Sequence, residues 1–135
     1  MKYPFRIFLV ILSVFVLTLS ACSNRDASKI QEAEKMIVAN PDSAMTMLRE
    51  VVNPHLLPDS AQALYWLSIA NIHSNLHQSL SEDSMVCWSA DFYLNAWQDV
   101  PQNERTSLLT KRMMKAQMLK VFYYWWINEK ETAYK

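Results

Sequence analysis

The chain has 135 residues with 13 basic and 13 acidic side chains, and it contains no glycine. This charge balance lacks the strong basic excess that is typical of a nucleic-acid-binding protein. The length suits one domain with its own core. Turns that need a positive φ are disfavoured without glycine, and apolar residues recur at helical rather than alternating spacing. The sequence therefore predicts an all-α protein that does not bind nucleic acid.

The N-terminus has three physical parts. Lys2 and Arg6 are basic, residues 7–19 are almost entirely apolar, and Ser20 and Ala21 precede Cys22. The apolar block is shorter than the roughly 20 residues needed to span a bilayer. The order Leu19-Ser20-Ala21-Cys22 behind such a block resembles the signal peptide and lipobox of bacterial lipoproteins. An ordinary secretory signal and an uncleaved anchor are the alternatives.

This resemblance implies how the protein is anchored. Residues 1–21 would be the signal peptide, in which the signal peptidase recognises Leu19, Ser20 and Ala21. Cys22 would carry the lipid at the start of a short leader, residues 22–27. Two or more acyl chains hold a protein stably on a membrane, so the membrane is an expected partner through Cys22. Ser23, in place of Asp, resembles sorting to the outer membrane of the bacterial cell envelope.

Two helices are predicted before Pro54. Ser28 with Gln31 resembles a capping box, which would begin a first helix that ends near Asn40. Pro41-Asp42-Ser43-Ala44 restarts the chain, because Pro41 disfavours a helical conformation at the residue before it. Asp42 or Ser43 is expected to accept the free amides of the second helix.

Three further helices are predicted after it. Pro58-Asp59-Ser60-Ala61 begins a third helix that ends near Leu76, with Asp59 and Gln62 as a capping box. This helix is apolar on most sides, as central helices are. Asp83-Ser84-Met85 begins the fourth helix, and the fifth and longest covers about 103–126. Short links between them favour antiparallel neighbours.

Three phrases carry a second resemblance: Pro41-Asp42-Ser43-Ala44, Ala61 with Leu64 and Tyr65, and Glu82-Asp83-Ser84. They are similar to tetratricopeptide-like lipoproteins of Gram-negative bacteria, which implies that residues 28–135 form an array of helical hairpins. The repeats of that family carry a glycine that this chain lacks, and the spacing of the helix starts is irregular. Residues 131–134 are expected to begin a sixth helix, so the domain is expected to be incomplete at Lys135.

Candidate catalytic and metal-binding residues have simpler structural explanations. His73 and His77 lie four residues apart, which suits two metal ligands, but no third ligand is evident and a polar helix face explains them. Glu82, Asp83 and Asp91 could be considered as an acid–base pair. Helix capping explains Asp83 better, and a solvated helix face explains Asp91 better. We therefore expect no enzyme activity, no metal and no cofactor.

Cys87 lies between Val86 and Trp88. A thiol in such a place is usually a small buried apolar group, and an exposed reactive thiol is the alternative. If lipid occupies Cys22, Cys87 has no disulfide partner within the chain.

Aromatic side chains leave an open question. Core packing explains most of them, but the five consecutive rings of residues 122–126 cannot all be buried on one helix. Contiguous exposed apolar surface usually marks an interface. The expected contacts with a partner, a following repeat or a sugar ring are Trp97, Tyr124, Trp125 and Trp126.

Charge is unevenly distributed along the chain. Residues 41–103 contain one basic side chain, Arg49, against seven acidic ones, whereas residues 104–135 contain seven basic side chains against three acidic ones. The fifth helix could therefore contact the acidic middle of the chain or an anionic membrane surface, or simply present a solvated face.

Three functions from different classes are consistent with these patterns. The first is a membrane-tethered helical module that binds a protein or peptide. The second is a lipoprotein that captures a glycan or peptide on its aromatic faces, which exposure of Trp97, Trp125 and Trp126 would favour. The third, an enzyme, lacks an evident metal or nucleophile.

Overall fold

The computed structural model describes residues 25–133, with side chains up to Glu129. The predicted lipobox, Leu19 to Cys22, lies outside the described residues. Within them the protein is all-α with no strand, as the helical spacing predicted. The helices are α1 (residues 25–36), α2 (Pro41–Arg49), α3 (Asp59–Asn75), α4 (Met85–Asp99) and α5 (Ser107–Ala133). Single 3₁₀ turns at Pro54–Leu56 and Gln102–Glu104 precede α3 and α5.

The start of α1 differs from the prediction. The chain is already helical at Arg25, so Ser28 lies inside the helix and does not begin it. Residues 25–27 contain no proline or glycine, and nothing in them interrupts a helix. The leader predicted to run to residue 27 is therefore helical over its last three residues.

The caps of α2 and α3 also differ from the prediction. The Asn40 side-chain oxygen accepts a hydrogen bond from the Ser43 amide at 3.1 Å, with Pro41 in the first turn. The N-cap is therefore Asn40, because an N-cap side chain reaches the amide three residues on. At α3 the Gln62 side chain donates to the Pro54 carbonyl at 3.1 Å and ties the 3₁₀ turn to the helix, so Asp59 and Gln62 form no capping box.

Helix α3 is central, as predicted. Leu64, Tyr65 and Ile72 belong to a buried cluster shared with α1 and α2. Ala63 and Leu67, on another side of α3, belong to a second cluster shared with α4 and α5. Because α3 is apolar on most sides, it needs cover from both groups of helices.

The end of α4 contacts the beginning of α5, and the middle of α4 contacts the middle of α5. The Trp97 indole donates to the Thr110 hydroxyl at 3.2 Å, and the Gln117 side chain donates to the Ala90 carbonyl at 2.8 Å. The two helices therefore run in opposite directions along this contact. The tetratricopeptide-like arrangement of the whole domain stays a prediction.

The predicted sixth helix is wrong. Helix α5 continues without a break through Ala133, so residues 131–133 belong to it. No proline or glycine follows Trp126, and Glu129, Lys130 and Glu131 are good helix formers. Helix α5 is consequently much longer than α4.

An ion pair joins helices α1 and α5. The Arg112 guanidinium on α5 donates two hydrogen bonds, of 2.8 and 2.6 Å, to the Glu34 carboxylate on α1. This paired geometry raises the pKa of Arg112, chiefly through the hydrogen bonds to Glu34. The neighbouring Tyr93 is buried, and burial raises its pKa to about 12.

We expect Tyr93 to make the stability of the domain depend on alkaline pH. In the unfolded chain Tyr93 ionises near pH 10, whereas in the fold it keeps its proton to about 12. The unfolded state therefore gains by ionising first, and stability present below pH 10 is lost as the pH rises to 12. The loss amounts to roughly 2–3 kcal/mol.

Urea unfolding at pH 9 and near pH 12 tests this dependence against Tyr93→Phe, which has no phenol to ionise. The variant should lose less stability than the wild type over this range. Equal losses in the two proteins would contradict the assignment to Tyr93.

Candidate functional site

The outward face of α5 is apolar. Met114, Met118, Val121 and Trp125 follow the spacing i, i+4, i+7 and i+11, which places them on one side of the helix. Met114 is 63% exposed, Val121 65% and Trp125 51%. The opposite side of α5 carries Ala116 and Leu119, which are fully buried. We call the four exposed residues the outer stripe.

An open cavity adjoins one end of the outer stripe. It has a volume of about 460 Å³ and lies between the end of α3 and the second half of α5. Its apolar wall consists of Leu80, Val121, Phe122, Trp125 and Trp126, and its polar wall consists of Ser74, His77 and Gln78. We call it the aromatic cavity. It combines ring faces with a few hydrogen-bonding groups, as binding pockets commonly do.

The polar wall of the aromatic cavity depends on an unusual turn. The Gln78 amide donates to the His73 carbonyl at 2.8 Å and the His77 amide to the Ser74 carbonyl at 3.2 Å, which is the Schellman ending of a helix. This ending needs a left-handed residue, and His77 has a φ of 54°. Glycine usually occupies that position. Turns with a positive φ were expected to be disfavoured in a chain without glycine, yet the ending of α3 uses one at His77.

The predicted contact residues do not form one site. Trp125 and Trp126 line the aromatic cavity, and Trp125 also belongs to the outer stripe. Trp97 lies near Thr110, about 22 Å from Trp125 along α5 by the helical rise. The Arg105 guanidinium lies 3.7 Å from the centre of the Trp97 ring and stacks on it.

Tyr124 faces α4 instead of the aromatic cavity. A hydrogen bond with Cys87 raises the pKa of Tyr124, whose side chain is half exposed. Lys120, one turn earlier, donates to the Asp91 carboxylate at 2.7 Å. The basic helix therefore does meet an acid of the middle segment at this point. Cys87 itself is half-buried and forms no disulfide with another described residue.

His73 and Asp83 pair with each other. His73 Nδ1 lies 2.8 Å from Asp83 Oδ2, and burial raises the pKa of Asp83 while the hydrogen bond to His73 lowers it. The prediction that Asp83 caps α4 is wrong, because its carboxylate turns to His73 and α4 has no side-chain cap. Among the described residues, no three His, Cys, Asp or Glu side chains lie together as a metal site would require.

Sequence reasoning missed several residues of these surfaces. It did not identify Met114, Met118 and Val121 as an exposed face, because nothing in the sequence indicates which side of α5 faces outward. It treated His77 only as a metal ligand or a polar surface residue. The signal available for His77 was its position two residues after α3, where a helix ending would need a left-handed residue.

Comparison with known proteins identifies no relative. No protein-family model matches the sequence, and no curated protein or solved structure is significantly similar to it. In the part of the chain that the structure describes, no helix is both long and apolar enough to cross a membrane.

Replacing His77 by glycine should stabilise the domain. A left-handed residue with a Cβ atom costs about 1–2 kcal/mol that glycine avoids, so His77→Gly should raise the free energy of unfolding by about 1 kcal/mol. Urea unfolding monitored by circular dichroism measures the change.

The matched control is Gln78→Gly, one residue later, where φ is not positive. Glycine there only adds conformational freedom to the unfolded chain, so this variant should lose stability. If His77→Gly also lost stability, the strained turn would not be present in solution.

Proposed function

We propose that this protein is a lipid-anchored lipoprotein of the bacterial cell envelope whose helical domain binds a protein or peptide partner and catalyses no reaction. The observation that carries the proposal is the outer stripe. Large apolar side chains spaced along one outward helix face expose contiguous apolar surface, and such surface usually marks an interface.

The spacing of the outer stripe favours a helical partner. Its residues recur at intervals of three and four from Met114 to Trp125, which are eleven residue steps or about 16 Å of helix apart. An amphipathic helix laid along such a row contacts it with its own apolar side chains at the same spacing. Met114 and Met118 add adaptable surface, because the unbranched methionine side chain fits irregular contacts.

The aromatic cavity supplies an anchor point beside the outer stripe. Its volume of about 460 Å³ exceeds that of one large side chain, and Trp125 belongs to both surfaces. Interfaces commonly gain most of their affinity from an aromatic or aliphatic side chain that fills a pocket. A partner helix with one bulky apolar residue near its end would occupy both surfaces together.

The anchoring half of the proposal rests on the resemblance of Leu19-Ser20-Ala21-Cys22 to a lipobox. Lipid on Cys22 would hold the domain at a membrane surface, and Ser23 points to the outer membrane. Tethering raises the effective concentration of the domain toward partners in the same membrane.

Ligand capture is the second candidate, and the aromatic cavity favours it. Its volume lies within the range of small-ligand pockets, and Ser74, His77 and Gln78 offer hydrogen-bonding groups beside the rings. A glycan or a short peptide would use both. Trp97 does not take part, because it lies near the end of α4, beside the first turn of α5 and away from the aromatic cavity.

Photo-crosslinking in membranes of the native host tests the proposed function. A photoreactive amino acid at Val121 should give a discrete protein crosslink, because this position lies in the outer stripe. The same amino acid at the exposed Lys35 on α1 should give none. Met118→Glu should abolish the crosslink without unfolding the domain, since Met118 is already exposed.

No crosslink at Val121, or equal crosslinking at Val121 and Lys35, would contradict an interface on the outer stripe. Glycan binding by the purified protein that Trp125→Ala abolishes, together with no protein crosslink, would favour ligand capture instead.

A further inference from the structure

A second cleft lies beside the first half of α5, whereas the aromatic cavity lies beside its second half. The second cleft has a volume of about 160 Å³ and is bounded by α1, α3 and α5. Helix α3 contributes Ser68, Asn71 and Asn75, which share one face, and α5 contributes Lys111, Arg112 and Lys115. We call it the basic cleft. No residue of the outer stripe lines it.

The basic cleft carries two unbalanced positive charges. The Glu34 carboxylate neutralises Arg112 through two short hydrogen bonds. Lys111 and Lys115 lie one helical turn apart, and neither forms an ion pair with another described residue. Two like charges at this spacing destabilise a helix unless a counter-charge lies near them.

Ser68 is a second, independent observation that points to a ligand in the basic cleft. Its side chain is 1% exposed, and its hydroxyl has no hydrogen-bond partner among the described residues. A mid-helix serine ordinarily bonds the carbonyl four residues earlier, and a buried hydroxyl left without a partner is costly. Native proteins rarely keep such a group without a bound water or ligand to satisfy it.

These groups together suit an oxyanion. Ammonium groups, a hydroxyl and side-chain amides are all hydrogen-bond donors, and two unbalanced charges match a dianion better than a monoanion. The volume is about five times the ~30 Å³ share of one water molecule, which suits a small group.

We propose that the basic cleft binds a phosphate dianion, either free or as the phosphomonoester of a larger molecule, between Ser68 of α3 and Lys111 and Lys115 of α5. The ammonium groups balance its charge, and the Ser68 hydroxyl donates to one of its oxygens. The Arg112–Glu34 pair forms the floor of the cleft and stays intact.

Calorimetric titration of the purified full chain in neutral detergent tests the site, with inorganic phosphate, glycerol 3-phosphate and acetate as probes. Saturable binding of at least one phosphate probe, tighter than that of acetate, is expected. Lys111→Gln combined with Lys115→Gln should weaken it by at least about tenfold, because charge-assisted hydrogen bonds are the strong ones. Lys35→Gln, which removes an exposed lysine outside the cleft, should leave it unchanged.

Ser68→Ala separates binding from folding. This variant should weaken phosphate binding, yet its melting temperature without phosphate should equal or exceed that of the wild type, because the hydroxyl it removes is unsatisfied. Binding of glycerol 3-phosphate alone would identify a phosphomonoester as the ligand, and binding of inorganic phosphate would identify the free ion. The proposal would be overturned if neither phosphate probe bound or if acetate bound as tightly as phosphate. It would also be overturned if Lys35→Gln and the double variant lost the same phosphate affinity.

Discussion

The fold depends on the need to cover α3. Its side chains are buried on two sides, with Leu64 and Tyr65 toward α1 and α2 and with Ala63 and Leu67 toward α4 and α5. Two groups of helices are therefore required, and each must supply an apolar face. Helix α5 meets this need with one side only, through buried residues such as Leu119. Its other side is equally apolar but has nothing to cover among the described residues, so the outer stripe follows from the same packing.

The helix content was predictable, whereas the caps were not. Pro41, Pro54 and Pro101 interrupt an otherwise helical pattern, and a local rule is enough to find such breaks. Which side chain caps a helix depends on what else it can reach. Asp83 turns to His73 and Gln62 turns to a carbonyl of the preceding 3₁₀ turn, and neither contact can be found from local spacing. The sixth helix was wrong because Glu131 and its neighbours are as suited to continuing a helix as to starting one.

The surfaces were only partly predictable for a related reason. Aromatic crowding in residues 122–126 indicates that some rings are exposed. Helix α5 is apolar on both sides, however, and only its packing on α3 and α4 determines which side is exposed. The basic cleft joins Ser68 to Lys111 and Lys115, which lie on different helices far apart in sequence, so no motif connects them. His77 shows the limit of compositional reasoning, because a chain without glycine still needs a left-handed residue where a helix closes.

Methionine oxidation tests most directly whether the outer face of α5 is uncovered. The purified protein would be treated briefly with dilute hydrogen peroxide and the sulfoxide at each methionine followed by mass spectrometry. Met113 packs against the buried cluster, whereas the adjacent Met114 belongs to the outer stripe, so the two form an internal comparison. We expect Met114 and Met118 to oxidise much faster than Met113. Equal rates at Met113 and Met114 would contradict an uncovered apolar face and remove the basis for an interface there.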